Sequence, residues 1–353
     1  MSETQKLKQV AAVFFKLGLF AFGGPAAHIA MMEQEVVTKK KWMTREHYLD
    51  LIGATNLIPG PNSTEMTMHC GYQRAGKKGL FIAGISFIFP AVFITAILGY
   101  LYVLYGALPQ VQPFIKGIQP AVMAIIASAV IKLGKKALKN WELAMLGALF
   151  LAASLLGINQ ILVMLAGGLL GMCYFFIRSK TWKTTHTIAP LFMVFMFSEI
   201  GSKLSAVGIF LKFLKVGSIL YGSGYVLFAY LDTELVTTAL LSQKQLIEAI
   251  GIGQFTPGPV LSTATFIGYQ LGGFWGAVGA TAGIFMPSFL FVWLLNPLIP
   301  KMRKSKVLGY FLDSINVAAV AIMFAVLITM SQQALVDWQA AFIALVSVVL
   351  VFK

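Results

Sequence analysis

The chain has 353 residues, of which 58% are hydrophobic and only 11% are Asp, Glu, Lys or Arg. Soluble domains carry about 25% charged residues, so this composition excludes a soluble globular enzyme. Basic residues outnumber acidic ones 27 to 13, which gives a net charge of +14. In a membrane protein, basic residues are enriched in the cytoplasmic loops, so the excess indicates the orientation of the loops and we predict no nucleic-acid partner.

Two segments near the start of the chain are interrupted by glycine and proline. Segment 10–37 is broken at Gly23-Gly24-Pro25, and segment 47–73 is broken at Pro59-Gly60-Pro61. Each helical piece would be about 20 Å long, too short to span a bilayer. We therefore predict two re-entrant helical hairpins. One full helix through each segment is the alternative, and it would place the basic residues of 39–45 outside the cell.

Several uncharged stretches exceed the roughly 20 residues that cross a hydrocarbon core. We predict an all-α polytopic membrane protein embedded in the lipid bilayer. The predicted membrane spans are 79–104, 114–132, 141–157, 159–177, 187–203, 275–299, 314–332 and 338–352.

The second half of the chain repeats the first in a register that drifts only slightly. The matched pairs are Lys16-Leu17-Gly18 with Lys215-Val216-Gly217, Pro59-Gly60-Pro61 with Pro257-Gly258-Pro259, Gly71-Tyr72-Gln73 with Gly268-Tyr269-Gln270, and Pro90 with Pro287. Segments 207–235 and 245–270 are the predicted partner hairpins. We assign 1–185 to the first repeat plus an extra transmembrane helix, and 186–353 to the second repeat.

The two repeats carry their basic loops at different, non-matching positions. Loops 39–45, 74–78 and 135–139 are basic in the first repeat, whereas the basic cluster of the second repeat, 301–306, falls where the first is neutral. Cytoplasmic loops are enriched in Lys and Arg, so this pattern predicts that the repeats cross the membrane in opposite directions, with the N-terminus in the cytoplasm. Inverted-topology repeats are typical of secondary transporters.

No catalytic arrangement is visible in the sequence. There is no Ser/His/Asp or metal-ligand spacing and no glycine-rich phosphate loop. Cys70 and Cys173 are too few for a disulfide framework and are predicted to be small core residues. We predict no enzyme activity, no cofactor and no metal.

The glycine-proline breaks favour an anion. Non-helical backbone at membrane depth is tolerated where it lines a cavity, and the free amides at a helix start attract negative charge. A simple kink in a transmembrane helix is the alternative. The predicted substrate-binding residues are Lys16, Gly23, Gly24, His28, Gly60, Asn62, Ser63, Thr64, Lys215, Gly222, Gly258, Ser262 and Thr263.

Ionisable residues near the breaks have two interpretations each. Lys16 and Lys215 could pair with a bound anion, with Glu65 or with another carboxylate, or could extend to the membrane surface. Glu65 and His69 share a helix face and are proton-coupling candidates, with capping or a salt bridge to Lys16 as the competing account. His28 is either an anion donor or a satisfied core histidine.

These motifs resemble the chromate ion transporters in their long, two-domain form. The resemblance rests on Phe22-Gly23-Gly24-Pro25, on Pro59-Gly60-Pro61 with Asn62, and on the Gly76, Gly79 and Gly84 to Pro90 pattern. It implies a prokaryotic plasma-membrane antiporter that exports chromate, is energised by the proton gradient and confers chromate resistance. Sulfate is the expected competitor.

The second repeat departs from the family pattern, because Tyr221-Gly222-Ser223-Gly224 lacks the proline. Whether both repeats bind the substrate equally is therefore open. Two alternative functions also stay open, a permease for sulfate or another oxyanion and an uncoupled anion channel. A homodimeric assembly is a further open possibility.

Overall fold

The computed structural model describes residues 1–22, 24–178, 205–221, 224–298, 302 and 305–352. Within these ranges the secondary structure is entirely helical. The α-helices are α1 (Glu3–Phe20), α2 (Gly24–Met32), α3 (Arg45–Thr55), α4 (Asn62–Tyr105), α5 (Gln112–Ala137), α6 (Trp141–Leu155), α7 (Gln160–Arg178), α8 (Ala206–Ser218), α9 (Leu227–Leu231), α10 (Gln243–Phe255), α11 (Thr263–Leu295), α12 (Lys306–Ala334) and α13 (Trp338–Phe352).

Short π and 3-10 segments extend several of these helices. The π segments are Glu33–Lys39 and Asp232–Val236, and the 3-10 segments are Gly224–Val226, Val260–Ser262 and Asn296–Leu298.

Five of the described helices are long and apolar enough to cross a membrane by length and composition. They are Asn62–Tyr105, Gln112–Ala137, Gln160–Arg178, Val260–Leu298 and Lys306–Ala334. Trp141–Leu155 and Trp338–Phe352 are shorter apolar helices. The all-α prediction is confirmed for the described residues. The predicted span 187–203 lies outside them.

The chain divides into two compact units. The first contains Met1–Ile115, Leu204–Leu227 and Glu248–Ile299, and the second contains Lys116–Lys203, Phe228–Ile247 and Pro300–Lys353. Both Pro-Gly-Pro breaks therefore belong to the first unit. The predicted repeat boundary at 185 and 186 falls outside the described residues and stays a prediction.

Helix α1 has well-defined ends. It begins with a capping box between Ser2 and Gln5, in which each side chain accepts a hydrogen bond from the other residue's amide. It ends at Phe20, and Ala21 adopts an extended conformation with φ −83° and ψ 100°. α2 begins at Gly24, so the chain between the two helices leaves the helical path. Gly23 itself is outside the described residues.

α4 and α11 each consist of two helical segments that meet at a sharp reversal. The reversal in α4 lies at Ala75 and Gly76, where Gly76 has φ 62° and ψ −152°. The reversal in α11 lies at Gly272 and Gly273, where Gly273 has φ 60° and ψ −149°. Only glycine adopts this region readily. The two repeats thus share the same local backbone geometry.

Small residues let the segments on either side of each reversal approach closely. A Cβ atom on Gly71 would overlap the carbonyl oxygen of Gly79, and a Cβ atom on Gly268 would overlap that of Gly276. The approach of α1 to α4 and that of α8 to α11 also correspond, through Gly18 against Phe87 and Gly217 against Ile284. The first unit is therefore built from two similar sets of helices.

In the second unit, α12 packs against α6 and α7. Lys139, in the loop between α5 and α6, forms a salt bridge with Asp313 on α12 (Nζ to Oδ1, 2.6 Å). The buried face of α7 carries Ile161, Met164 and Gly168. Cys173 lies off that face and is exposed, which corrects the core prediction for this residue, whereas Cys70 is buried as predicted.

Candidate anion site

The first Pro-Gly-Pro break ends where α4 begins. Pro61 is the N-cap residue, and its carbonyl oxygen accepts the amides of Thr64 (2.8 Å) and Glu65 (3.1 Å). The amide of Thr64 is therefore engaged within the turn. Asn62 and Ser63 are the first two residues of the helix, whose amides have no intrahelical acceptor by the geometry of a helix start. These two amides are the backbone donors that the break offers to an anion.

Gly60 is fixed by the second repeat. Its amide donates a hydrogen bond to the carbonyl oxygen of Leu220 at 2.6 Å, and its φ of 147° is unfavourable for residues with a side chain. A Cβ atom on Gly60 would overlap Glu65 Oε1 and lie 2.5 Å from Ser288 Oγ. The carboxyl and hydroxyl oxygens therefore converge on the space beside Gly60.

Several oxygens around this break have no hydrogen-bond partner among the described residues. They include both carboxyl oxygens of Glu65, Thr64 Oγ1 and Ser288 Oγ, and all three side chains are 0% exposed. Buried polar atoms almost always find a partner, and leaving one without a partner costs about 1–3 kcal/mol. Such a group of buried oxygens indicates a place for a proton or a ligand.

The second Pro-Gly-Pro break has the matching backbone contact. The amide of Gly258 donates to the carbonyl oxygen of Ala21 at 3.0 Å. A Cβ atom on Gly258 would lie 2.8 Å from the Cβ of Ala91 and 3.1 Å from the carbonyl oxygen of Gly18. Ala21 and Leu220 occupy corresponding positions, so each break is hydrogen-bonded to the chain that precedes the break of the other repeat.

The residues that follow the second break are buried. The Ser262 amide donates to Pro259 at 2.9 Å, and Thr263 Oγ1 donates to the Val260 carbonyl oxygen at 2.8 Å. Ser262 Oγ has no hydrogen-bond partner in the described part of the chain. Of the two predicted hydroxyls, only that of Ser262 is therefore left for a ligand.

His28 is held by the same carbonyl group as Gly258. It is 2% exposed, its Nε2 lies 3.1 Å from the Ala21 oxygen, and its ring meets Phe87 edge-on at 5.6 Å. A carbonyl oxygen only accepts hydrogen bonds, so Nε2 carries the proton. His28 therefore donates a hydrogen bond from Nε2 to the carbonyl oxygen of Ala21 and stabilises the extended conformation of that residue.

Gly24, at the start of α2, lies beside Tyr225. A Cβ atom on Gly24 would come within 2.6 Å of the Tyr225 hydroxyl oxygen. The start of α2 is thus next to the short 3-10 helix of the second repeat. Gly23 and Gly222, the other two predicted residues of these breaks, lie outside the described residues.

The two predicted lysines have different surroundings. Lys16 Nζ lies 3.7 Å from Glu35 Oε1, and its side chain is 63% exposed in the isolated chain. Glu35 is closer to Lys39, with 2.7 Å between Oε1 and Nζ. Lys16 thus pairs with another carboxylate rather than with Glu65, which forms no salt bridge within the described chain. Lys215 is partly buried on α8.

His69 lies one helical turn beyond Glu65 on the same face of α4 and is 1% exposed. Neither nitrogen of its imidazole ring has a hydrogen-bond partner among the described residues. The two predicted proton-coupling residues are therefore both buried near the start of α4.

Sequence reasoning missed Ser288 and Tyr225. Ser288 follows Pro287, and its counterpart after Pro90 is Ala91. A polar residue in one repeat at a position that is apolar in the other was the available signal.

A protein-family model described as chromate transporter matches residues 8–172 and 207–353. The chain belongs to the chromate transporter family. This is a family of transporters, which is not an enzyme class. The chain is 31% identical to the chromate transport protein of Cupriavidus metallidurans over 99% of its own length and 89% of that protein. No solved structure matches the chain.

Two further relatives carry similar names. The probable chromate transport protein of Synechococcus elongatus is 27% identical over 98% of this chain and 90% of its own length. The chromate transport protein of Pseudomonas aeruginosa is 28% identical over 92% of this chain and 81% of its own length. The resemblance of the sequence motifs to the chromate transporter family is confirmed.

Proposed function

We propose that this chain transports chromate across the plasma membrane of a prokaryote, and that the oxyanion binds at the first Pro-Gly-Pro break. The observation that carries the proposal is the set of unpaired hydrogen-bond donors near the start of α4, which are the hydroxyls of Thr64 and Ser288 and the amides of Asn62 and Ser63. The names of the relatives and the family membership support chromate as the substrate.

The helix start supplies donors for an anion. The amides of Asn62 and Ser63 and the positive end of the helix dipole favour negative charge, and the Thr64 hydroxyl can donate to an oxyanion. Ser262 offers a further buried hydroxyl from the second repeat. These groups bind oxygen atoms without selecting the central atom of the anion.

The proposed direction is export, coupled to the movement of a proton, with the two repeats crossing the membrane in opposite directions. The opposite distribution of basic residues between matched loops supports the inverted arrangement. The matching reversals at Gly76 and Gly273 support two equivalent repeats. The first repeat also carries Glu65 and His69, two buried ionisable groups that can couple a proton to the anion.

Flux in proteoliposomes tests the proposal. Vesicles that contain the full chain should take up chromate with saturation, and uptake should depend on an imposed proton gradient. The variant Ser288→Ala should lower this flux, whereas Ser154→Ala in the second unit should not. Chromate flux equal to that of empty vesicles would refute chromate transport, and flux without saturation or dependence on the gradient would indicate a channel.

Sulfate is the second candidate substrate. Backbone amides and hydroxyls present the same donors to any tetrahedral dianion of similar size, so the site favours sulfate on the same physical ground. Competition separates the two, because sulfate that is transported should inhibit chromate uptake and appear inside the vesicles. Sulfate uptake that is faster than chromate uptake would make the chain a sulfate permease.

A further inference from the structure

The two Pro-Gly-Pro breaks have equivalent backbones but different side chains beside them. Glu65 and Ser288 adjoin Gly60 in the first break, whereas the methyl group of Ala91 adjoins Gly258 in the second. Ser288 and Ala91 occupy corresponding positions after matched prolines. One break is therefore lined by an ionisable group and the other is not.

Glu65 reaches back to the start of its own helix. It is the fourth residue of α4, and side chains on a helix tilt toward the N-terminus. Its Oε1 lies beside Gly60, before the helix begins. An anion on the amides of Asn62 and Ser63 would consequently be a direct neighbour of this carboxyl group.

Glu65 forms no salt bridge with a cation among the described residues. Lys16 on α1 pairs with Glu35, and His28 on α2 donates to a carbonyl oxygen. Asp50 on α3 is exposed. The segment 260–295, which contains α11, has no Asp, Glu, Lys, Arg or His.

The remaining titratable neighbours are His69 and Tyr221. His69 is on the same face of α4 and is buried, and Tyr221 directly follows Leu220, whose carbonyl oxygen accepts the amide of Gly60. The phenol is neutral in the neutral pH range. Neither group supplies a fixed positive charge that would compensate a carboxylate beside a dianion.

We propose that the oxyanion and one proton bind together at the first Pro-Gly-Pro break, with the proton on Glu65, and that the second break takes up no proton. This inference rests on the proposed anion transport. Two negative groups in contact in a buried site cannot both remain charged, so anion binding favours a protonated Glu65. Linkage is reciprocal, so protonation of Glu65 strengthens anion binding by the same factor.

The proton therefore crosses the membrane in the same direction as the anion. One proton from solvent bonds to a Glu65 oxygen when the anion arrives and leaves when the anion is released, so the transported unit carries one negative charge fewer than the dianion. Antiport would require the proton and the anion to exclude each other, which is the opposite of this electrostatic linkage. Export is then favoured by an inside-negative membrane potential and opposed by an outside-acid pH gradient.

Calorimetric binding to the purified full chain tests the inference under alkaline conditions in which chromate itself is a dianion. Titrations in buffers of different ionisation enthalpy count the protons exchanged. We expect one proton taken up per chromate and an affinity that falls about tenfold for each rise of one pH unit. Glu65→Gln should bind chromate with no proton uptake and no pH dependence.

Two variants keep the carboxyl group and so remain informative if Glu65→Gln does not fold. Ser288→Ala removes the hydroxyl beside Glu65, which leaves the buried carboxylate less stabilised, and we expect the same one-proton dependence displaced to higher pH. Ala91→Ser introduces a hydroxyl at the corresponding place in the second break, and we expect the pH dependence of the unaltered protein. If the pH dependence of chromate binding shifted in Ala91→Ser but not in Ser288→Ala, the assignment of the proton to the first break would be contradicted.

The result for the unaltered protein separates the two proposals. Chromate binding with proton release, with no proton exchange, or with dependence on sodium instead of pH would overturn the inference and leave anion transport standing. Absence of chromate binding under every condition, together with absence of flux in vesicles, would overturn the proposed function and the inference with it.

Discussion

The amide of Gly60 donates a hydrogen bond to the carbonyl oxygen of Leu220 at 2.6 Å, which ties a break in the first repeat to the chain before the corresponding break in the second. The amide of Gly258 makes the matching bond to Ala21 at 3.0 Å. Each repeat therefore holds the irregular backbone of the other. A substitution at one break should therefore alter the backbone conformation of both, because neither break is stabilised by its own repeat alone.

Gly60→Ala should abolish chromate transport. The new methyl group would overlap Glu65 Oε1 and Ser288 Oγ, and the backbone conformation itself costs on the order of 1–3 kcal/mol for a residue with a side chain. Gly309→Ala is the control, because a Cβ at Gly309 meets nothing within 4 Å and alanine is favoured in a helix. Chromate resistance of expressing cells and the melting temperature of the purified protein are the measurements. Equal transport by both variants would contradict the site.

The reversal in α4 makes a second prediction, in which two nearby glycines differ. Gly76→Ala should destabilise the fold by about 1–3 kcal/mol, because the backbone is strained but the methyl group meets nothing within 4 Å. Gly79→Ala should cost more, because the methyl group overlaps the carbonyl oxygen of Gly71. Gly276→Ala, in the second repeat, should behave like Gly79→Ala. Thermal unfolding in detergent ranks the variants, and a larger loss from Gly76→Ala would refute the packing argument.

The inverted arrangement predicts opposite labelling of matched loops. With the exposed Cys173 replaced by serine, a cysteine at position 40 should react with an impermeant thiol reagent only from the cytoplasmic side. A cysteine at position 244, in the corresponding loop of the second repeat, should react only from outside. Intact cells and inside-out vesicles provide the two sides. Labelling of both positions from one side would exclude the inversion.

Glu35 makes the stability of the protein depend on pH. The hydrogen bond from Lys39, with a further contribution from Lys16, lowers the pKa of the Glu35 carboxyl below its usual value. A lowered pKa in the folded state means that the ionised carboxylate stabilises the fold at neutral pH, and that this contribution is lost as pH falls through the lowered pKa. Melting temperature should therefore decrease less steeply on acidification in Glu35→Gln than in the unaltered protein. Parallel curves would show that the pair contributes nothing.

Lys39→Ala is a matched control for Lys16→Ala in a transport assay. Both lysines contact Glu35, but only Lys16 belongs to the predicted substrate-binding set. We expect Lys16→Ala to abolish chromate resistance and Lys39→Ala to preserve it, with membrane insertion of both variants checked by immunoblot. Loss of about 0–1 kcal/mol of stability is expected for each, as for exposed ion pairs. Equal resistance in the two variants would remove Lys16 from the site.

The sequence by itself determined the helical class, the position of the described candidate membrane spans and the place of the Pro-Gly-Pro break before α4. Bilayer thickness fixes how many apolar residues a span needs, and glycine and proline interrupt helices through their own backbone geometry. These are local properties, so the predicted span 114–132 falls within α5, and the break at Pro59-Gly60-Pro61 lies directly before α4. The repeat was also visible because matched glycines and prolines keep their register.

Tertiary structure alone decided which side chains share the site. Ser288 reaches Gly60, and Leu220 accepts its amide, although both are far from Gly60 along the chain. Lys16 contacts Glu35 rather than Glu65, a choice that the sequence left open. Such contacts depend on how helices from separate segments pack, and helix periodicity specifies the face of a residue but not the partner that this face meets.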